Sequence, residues 1–152
     1  MSTRSMIGKI NPDGSVTAIY CHWDGYPEHQ LPILVPCYSN EEKLNELMSL
    51  GSISYLDDNP NPPEGVTHTF NAPYPRTVVA YHRDRGDKWE ECEPDNYTSL
   101  DEMLEDDGNW NIAYFYIFDG DKWHLYDGGG EYHYGKTKDG DWWYLNKEYK
   151  EE

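Results

Sequence analysis

The heptapeptide Asp-Gly-Asp-x-Trp-x-Leu occurs twice, at residues 119–125 and again at residues 139–145. Asp-Gly is a turn signal, and residues two apart on the strand that follows project from the same side. Each copy therefore reads as a tight turn feeding a strand whose Trp and Leu share one face. The apolar run at residues 110–118 leads into the first copy. Two copies are too few for a solenoid or a propeller, so the C-terminal third reads as a meander of β-hairpins.

Aromatic side chains carry the rest of the core. Only 37% of the 152 residues are hydrophobic, yet six Trp, fourteen Tyr and three Phe are among them, and each buries far more area than Ala or Val. Asn11-Pro12-Asp13-Gly14 separates strand-like runs at 5–10 and 15–22, which predicts a further hairpin. Pro27, Pro32 and Pro36 then restrict any helix to a short or broken one. Ser39-Asn40-Glu41-Glu42 matches a capping box ahead of Leu44, Leu47 and Met48, so a helix is expected over 40–50, ended by Gly51. Residues 57–65 are a proline-rich loop, residues 77–81 a buried strand, and Ser99-Leu100-Asp101-Glu102 starts a short acidic helix ending near Gly108. The fold class expected is α+β: an antiparallel β-sheet or meander with an aromatic core and two short helices. The length suits one domain over 1–152, with a core at about 1–126, an added hairpin at about 127–146 and a charged tail at 147–152.

Several classes of function lose support. No apolar stretch approaches the length of a membrane span, and the N-terminal residues lack the apolar run of a signal peptide. Cys21, Cys37 and Cys92 are an odd set without CxxC spacing, which suits free thiols and neither a disulfide framework nor a thiolate metal site. The Asp-Gly-Asp turns lack the D-x-D-x-D-G register of a calcium loop. Walker, GxSxG and flanked GxGxxG patterns are missing. No cofactor, metal ligand set or catalytic group is indicated.

The net charge of −17 disfavours direct binding to nucleic-acid phosphates, which needs a basic patch. Residues 84–107 carry 2 basic and 11 acidic side chains, net −9, just over half of the total. Glu90, Glu91, Glu93, Asp95, Asp101, Glu102, Glu105 and Asp106 form the candidate acidic surface for a basic protein partner, one that could imitate nucleic acid. The plainer reading is a solvated helix face that maintains solubility.

Two clusters could carry chemistry. Within Tyr20-Cys21-His22-Trp23-Asp24-Gly25-Tyr26-Pro27, strand alternation puts Tyr20 and His22 on one face and Cys21 and Trp23 on the other. Asp24 could orient the His22 imidazole for acid–base work, or the block could be a packed corner. In His82-Arg83-Asp84-Arg85-Gly86, two of the chain's four arginines offer forks for an anion, or pair internally with carboxylates. Together Tyr20, His22, Asp24, Tyr26, Arg83 and Arg85 make a candidate site for a small anionic, nucleotide-like ligand.

The Ile19-Tyr20-Cys21-His22-Trp23-Asp24-Gly25-Tyr26-Pro27 block, the Asp13-Gly14 turn, Leu50-Gly51 with Ile53-Ser54-Tyr55-Leu56, the Tyr81-His82-Arg83-Asp84-Arg85-Gly86 block and Asp119-Gly120-Asp121-Lys122-Trp123 occur in this order after Met1-Ser2-Thr3-Arg4-Ser5. Over about residues 1–126 this resembles a widespread family of small acidic proteins encoded by tailed bacteriophages and prophages. The resemblance implies an accessory protein in the cytoplasm of the infected bacterium and brings no functional residues with it. Where members follow the Tyr-Pro with a glycine and a helical leucine pair, this chain has Gln30-Leu31-Pro32-Ile33-Leu34-Val35-Pro36. The second Asp-Gly-Asp hairpin is an extension. The leading expectation is a non-enzymatic protein that inhibits or redirects a host protein, such as a defence or nucleic-acid-handling component, through its acidic surface. Alternatives are a small-ligand binder or sponge, a minor virion or assembly component, and a hydrolase or transferase using His22 and Asp24. No membrane or direct nucleic-acid partner is expected, and the sequence leaves the oligomeric state open.

Overall fold

A computed structural model describes residues 3–147; Met1, Ser2 and the tail beyond Lys147 lie outside the described residues. Strands β1 (Ser5–Ile10) and β2 (Val16–Trp23) form the expected hairpin, in register from Ile10 opposite Val16 to Ser5 opposite Cys21. Gly14 at its turn has φ +88°, a left-handed conformation that glycine adopts without steric cost.

The chain then enters α1 (Pro27–Cys37), an eleven-residue helix that contains Pro32 and Pro36. It is neither short nor broken, contrary to expectation. Pro27 opens it at a position where a missing N–H costs nothing. The two internal prolines each forfeit a backbone bond, but Gln30, Leu31, Ile33 and Leu34 are buried. Full burial of a leucine stabilises by about 1.5–3 kcal/mol, which offsets those losses. Helix α2 (Glu41–Met48) follows, its first turn capped by Asn40, whose side chain accepts the Lys43 N–H at 3.1 Å. Gly51 ends this segment at φ +71°, and a Cβ there would lie 2.1 Å from the Cys92 carbonyl oxygen. Any other residue would strain the backbone and force two segments apart.

Strand β3 (Ile53–Tyr55) runs parallel to β2, and β4 (Val79–Ala80) antiparallel to β3. A single π-helical turn at Tyr81–Arg85 leads to α3 (Trp89–Cys92), β5 (Asp95–Tyr97) and α4 (Leu100–Glu105). Ser99 caps α4 as its sequence predicts, accepting the Glu102 N–H at 3.1 Å. The meander follows as β6 (Tyr114–Phe118), β7 (Trp123–Asp127), β8 (Gly130–Lys136) and β9 (Trp142–Asn146).

All nine strands belong to one sheet, in the order β4-β3-β2-β1-β6-β7-β8-β9, with β5 beside the first half of β2. The class is α+β, but the sheet is mixed: β1 pairs parallel with β6, and β2 with β3. A helical crossover between neighbouring strands naturally returns the chain parallel, and α1 with α2 makes such a crossover from β2 to β3. Four α-helices stand among the described residues where two were expected. The first face of the sheet packs Ile7, Ile19, Tyr116, Trp123 and Leu125 against Leu31 and Leu34 of α1 and Leu44 and Leu47 of α2. The second face packs Met6, Val16, Ala18, Phe115 and Ile117 under Met103 of α4.

Candidate functional site

On the second face, at the end of β2, a cleft of about 400 Å³ is lined by Tyr20, His22, Ser52, Tyr81, Arg85, Asp87, Glu91 and Cys92. Strand alternation places Tyr20 and His22 together as expected, with Tyr20 Oη 2.7 Å from His22 Nδ1. The orienting partner of this imidazole is therefore Tyr20 and not Asp24, which sits in the following turn at φ +54°. Partial burial and the charges of Arg4 and Arg85 lower the His22 pKa, favouring the neutral ring. Burial, with Asp87 and Glu91 nearby, raises the Cys92 thiol. The fully buried Cys21 thiol is pushed up to about 12. Both are poor thiolates.

The two arginines separate. Arg85 lies against the adjoining rings of Tyr81 and Phe70, at 4.5 and 5.0 Å from their centroids. Its fork is taken by Asp87, with Nε and Nη2 donating at 2.8 and 2.6 Å. Arg83 does not line the cleft. It donates to the carbonyls of Pro60 and Val78, each at 2.7 Å, and to Asp84 Oδ1 at 2.8 Å.

Asp84, with a side chain only 2% exposed, also accepts the Ala80 N–H at 2.7 Å and faces His68 Nε2 at 3.1 Å. The Tyr74 N–H donates to His68 Nδ1 at 2.8 Å, which assigns the ring proton to Nε2. Burial opposes ionisation of Asp84, but Arg83 and the Ala80 amide outweigh it and hold the pKa low. The His-Arg-Asp-Arg-Gly block thus fastens the proline-rich loop to the sheet instead of presenting two arginines to a ligand. Tyr26 stands outside the cleft, with its ring 6.2 Å from that of His29. Trp23 and Tyr26 are 45% and 37% exposed, so neither fills a core corner.

The acidic segment is arranged differently. Glu90, Glu91, Glu93, Asp95, Asp101, Glu102, Glu105 and Asp106 are all exposed, spread over α3, β5, α4 and their connections. None of the eight forms an ion pair among the described residues, where every cation paired with a carboxylate lies elsewhere. Desolvation first, and the like charge of Asp106 second, raise the Asp95 carboxyl. Just past this segment stands Trp110, 85% exposed. The apolar run at 110–118 predicts it in the aromatic strand, which instead begins at Tyr114. Its polar neighbours Asn109 and Asn111 are the only local sign that it lies outside the core.

Trp143 and Leu145 were likewise missed as surface residues. They are 45% and 46% exposed on the second face of β9, beyond the reach of α4 and its cluster. Among the described residues no group of three or more His, Cys, Asp or Glu side chains is placed to hold a metal ion. Nor is any helix long and apolar enough to cross a membrane.

No protein-family model, curated protein or solved structure matches this chain.

Proposed function

We propose that the chain is a non-catalytic binding protein, a phage accessory factor that engages a basic surface of a bacterial host protein through α3, β5 and α4. The observation that carries this reading is the run of eight exposed carboxylates without ion-pair partners, ending beside Trp110 at 85% exposure. A patch of unneutralised charge steers a complementary partner and favours association at low ionic strength. An exposed indole supplies the rigid, area-rich anchor that interface cores favour. The small-anion alternative finds less in the geometry: its cleft offers one arginine, already forked onto Asp87, and places Glu91 in the lining.

Affinity capture of the tagged full chain from bacterial lysate, at low and at high salt, tests the proposal. A discrete partner should be retained at low salt and released at high salt. Replacing Glu90, Glu91, Asp101 and Glu105 by the matching amides should weaken capture at least tenfold, and Trp110→Ala should weaken it further without changing the salt dependence. Full retention by the amide variant at low salt would sink the electrostatic surface.

A further inference from the structure

The two edges of the sheet are treated unequally. At one end β4 is two residues long, a length that leaves little backbone for another chain to pair with. At the other end β9 runs five residues, Trp142-Trp143-Tyr144-Leu145-Asn146, without a proline, a lysine or a bulge. Its bonds to β8 are bracketed by the Thr137 N–H donating to the Asp141 carbonyl and the Lys147 N–H donating to the Glu131 carbonyl. Antiparallel ladders alternate, so residues 143 and 145 bond inward to β8, while the N–H and C=O of Trp142 and Tyr144 point to the edge that no strand among the described residues pairs with.

We infer that this edge is a self-association site, at which β9 pairs antiparallel with β9 of a second copy about a two-fold axis through Tyr144. Two features of β9 and its flanks are self-complementary in that register. Trp143 of each chain falls directly opposite Leu145 of the other, so the two half-exposed apolar residues on the uncovered face become one four-residue cluster. Asp141 falls opposite Lys147 of the second copy, twice, so the ammonium that pairs with Glu131 in its own chain at 3.0 Å gains a second carboxylate across the strands. Residues 136–147 carry three lysines against two aspartates, so copies of a chain with net charge −17 meet at a segment that does not add to their mutual repulsion. The Trp143 ring already lies on Gly135, where an added Cβ would come within 2.7 Å of it. The indole is therefore held in place before a partner arrives, which lowers the ordering cost of association. A five-residue edge buries little area, so the dimer is concentration-dependent.

Sedimentation equilibrium of the full chain over a concentration series should approach twice the chain mass. Leu145→Lys should weaken association at least tenfold while leaving circular dichroism and melting unchanged, because the residue lies outside both cores. The register has its own test in a Cys37→Ser background. An equimolar mixture of Trp143→Cys and Leu145→Cys chains, oxidised with diamide, should form the mixed disulfide far faster than either chain alone. Opposed Cα atoms there would be about 4.5 Å apart, inside the range of about 4.4–6.8 Å that a disulfide spans. Wild-type protein at the mass of one chain throughout the series would overturn the inference. So would a dimer that survives Leu145→Lys, or one that shows no preference for the mixed disulfide.

Discussion

The two Asp-Gly-Asp-x-Trp-x-Leu units share their text and part company in space. In the first, Trp123 and Leu125 are 1% and 0% exposed, packed with Phe118 and Tyr116 against the helices of the first face. In the second, Trp143 and Leu145 are on the opposite face and nearly half exposed. The difference lies at the variable position before the Trp. In the first copy it is Lys122, which stays in a four-residue loop between the paired Phe118 and Trp123. In the second it is Trp142, which joins the strand opposite Lys136, leaving a five-residue loop at 137–141. Its ring stacks with Tyr134 at a centroid distance of 6.4 Å, under the Lys136 ammonium at 5.7 Å. Taking one more residue into the strand turns every later side chain to the other face. The shared text of the repeat therefore specifies a turn and a strand, and a single position decides which residues the strand buries.

The largest expected effect separates the two tryptophans directly. Trp123→Ala should cost about 3–5 kcal/mol of unfolding free energy, the range for emptying a packed aromatic site. Trp143→Ala should cost under about 1 kcal/mol, as for an exposed residue outside the core. Urea denaturation of the two variants measures both, and comparable losses would mean that β9 does not present Trp143 to solvent.

A subtler intervention targets the position that sets the faces. Trp142→Lys makes the second copy match the first, removing the aromatic contact that draws this residue into the strand. The expected outcome is a one-residue slip of β9 against β8, with Trp143 opposite Lys136 and Leu145 opposite Tyr134. Nuclear Overhauser contacts from the Leu145 methyls to the Tyr134 ring would report the slip. Contacts retained to His133 would show that the register is held by something other than Trp142.

These elements also mark where the sequence was legible. The hairpin at Asn11–Gly14, the Ser99 cap and the β6–β9 meander rest on local chemistry, and each stands where turn and capping residues put it, while α2 is capped one residue beyond the Ser39 of its capping box, by Asn40. What local reasoning missed depended on distant partners. Helix α1 survives its prolines because the sheet buries Leu31 and Leu34. The parallel pairing of β1 with β6 joins segments about a hundred residues apart, which no short pattern announces. In the candidate site, strand alternation placed Tyr20 beside His22, and proximity in sequence suggested that Arg83 and Arg85 act together. The π-helical turn at Tyr81–Arg85 sends them to different environments, Arg83 to the carbonyls of the proline-rich loop and Arg85 to Asp87. The exposure of the eight acidic residues was readable because charge needs no partner to be exposed.

The smallest expected effect compares the two turns themselves. In the first, Asp119 Oδ1 accepts the Asp121 and Lys122 N–H groups, each at 2.8 Å, while Oδ2 lies 2.6 Å from His124 Nε2. Partial burial works against this carboxylate, but the Lys122 amide, His124 and the Asp121 amide together lower its pKa to about 2. In the second turn the corresponding acceptor is the neutral hydroxyl of Thr137, which takes the Asp141 N–H at 3.0 Å. A carboxyl whose folded pKa is depressed stabilises the fold fully above its unfolded pKa of about 3.9, and that contribution is lost as pH falls through the folded value. The first turn should therefore lose on the order of 1 kcal/mol between about pH 4 and pH 2, and the second should not. Amide-exchange protection factors over that interval should fall for Asp121 and Lys122 while that of Asp141 holds, and Asp119→Asn should flatten the first profile. Equal loss at both turns would show that acid weakens the hairpins through their shared strands, and that the carboxylate acceptor is not what sets the first turn apart.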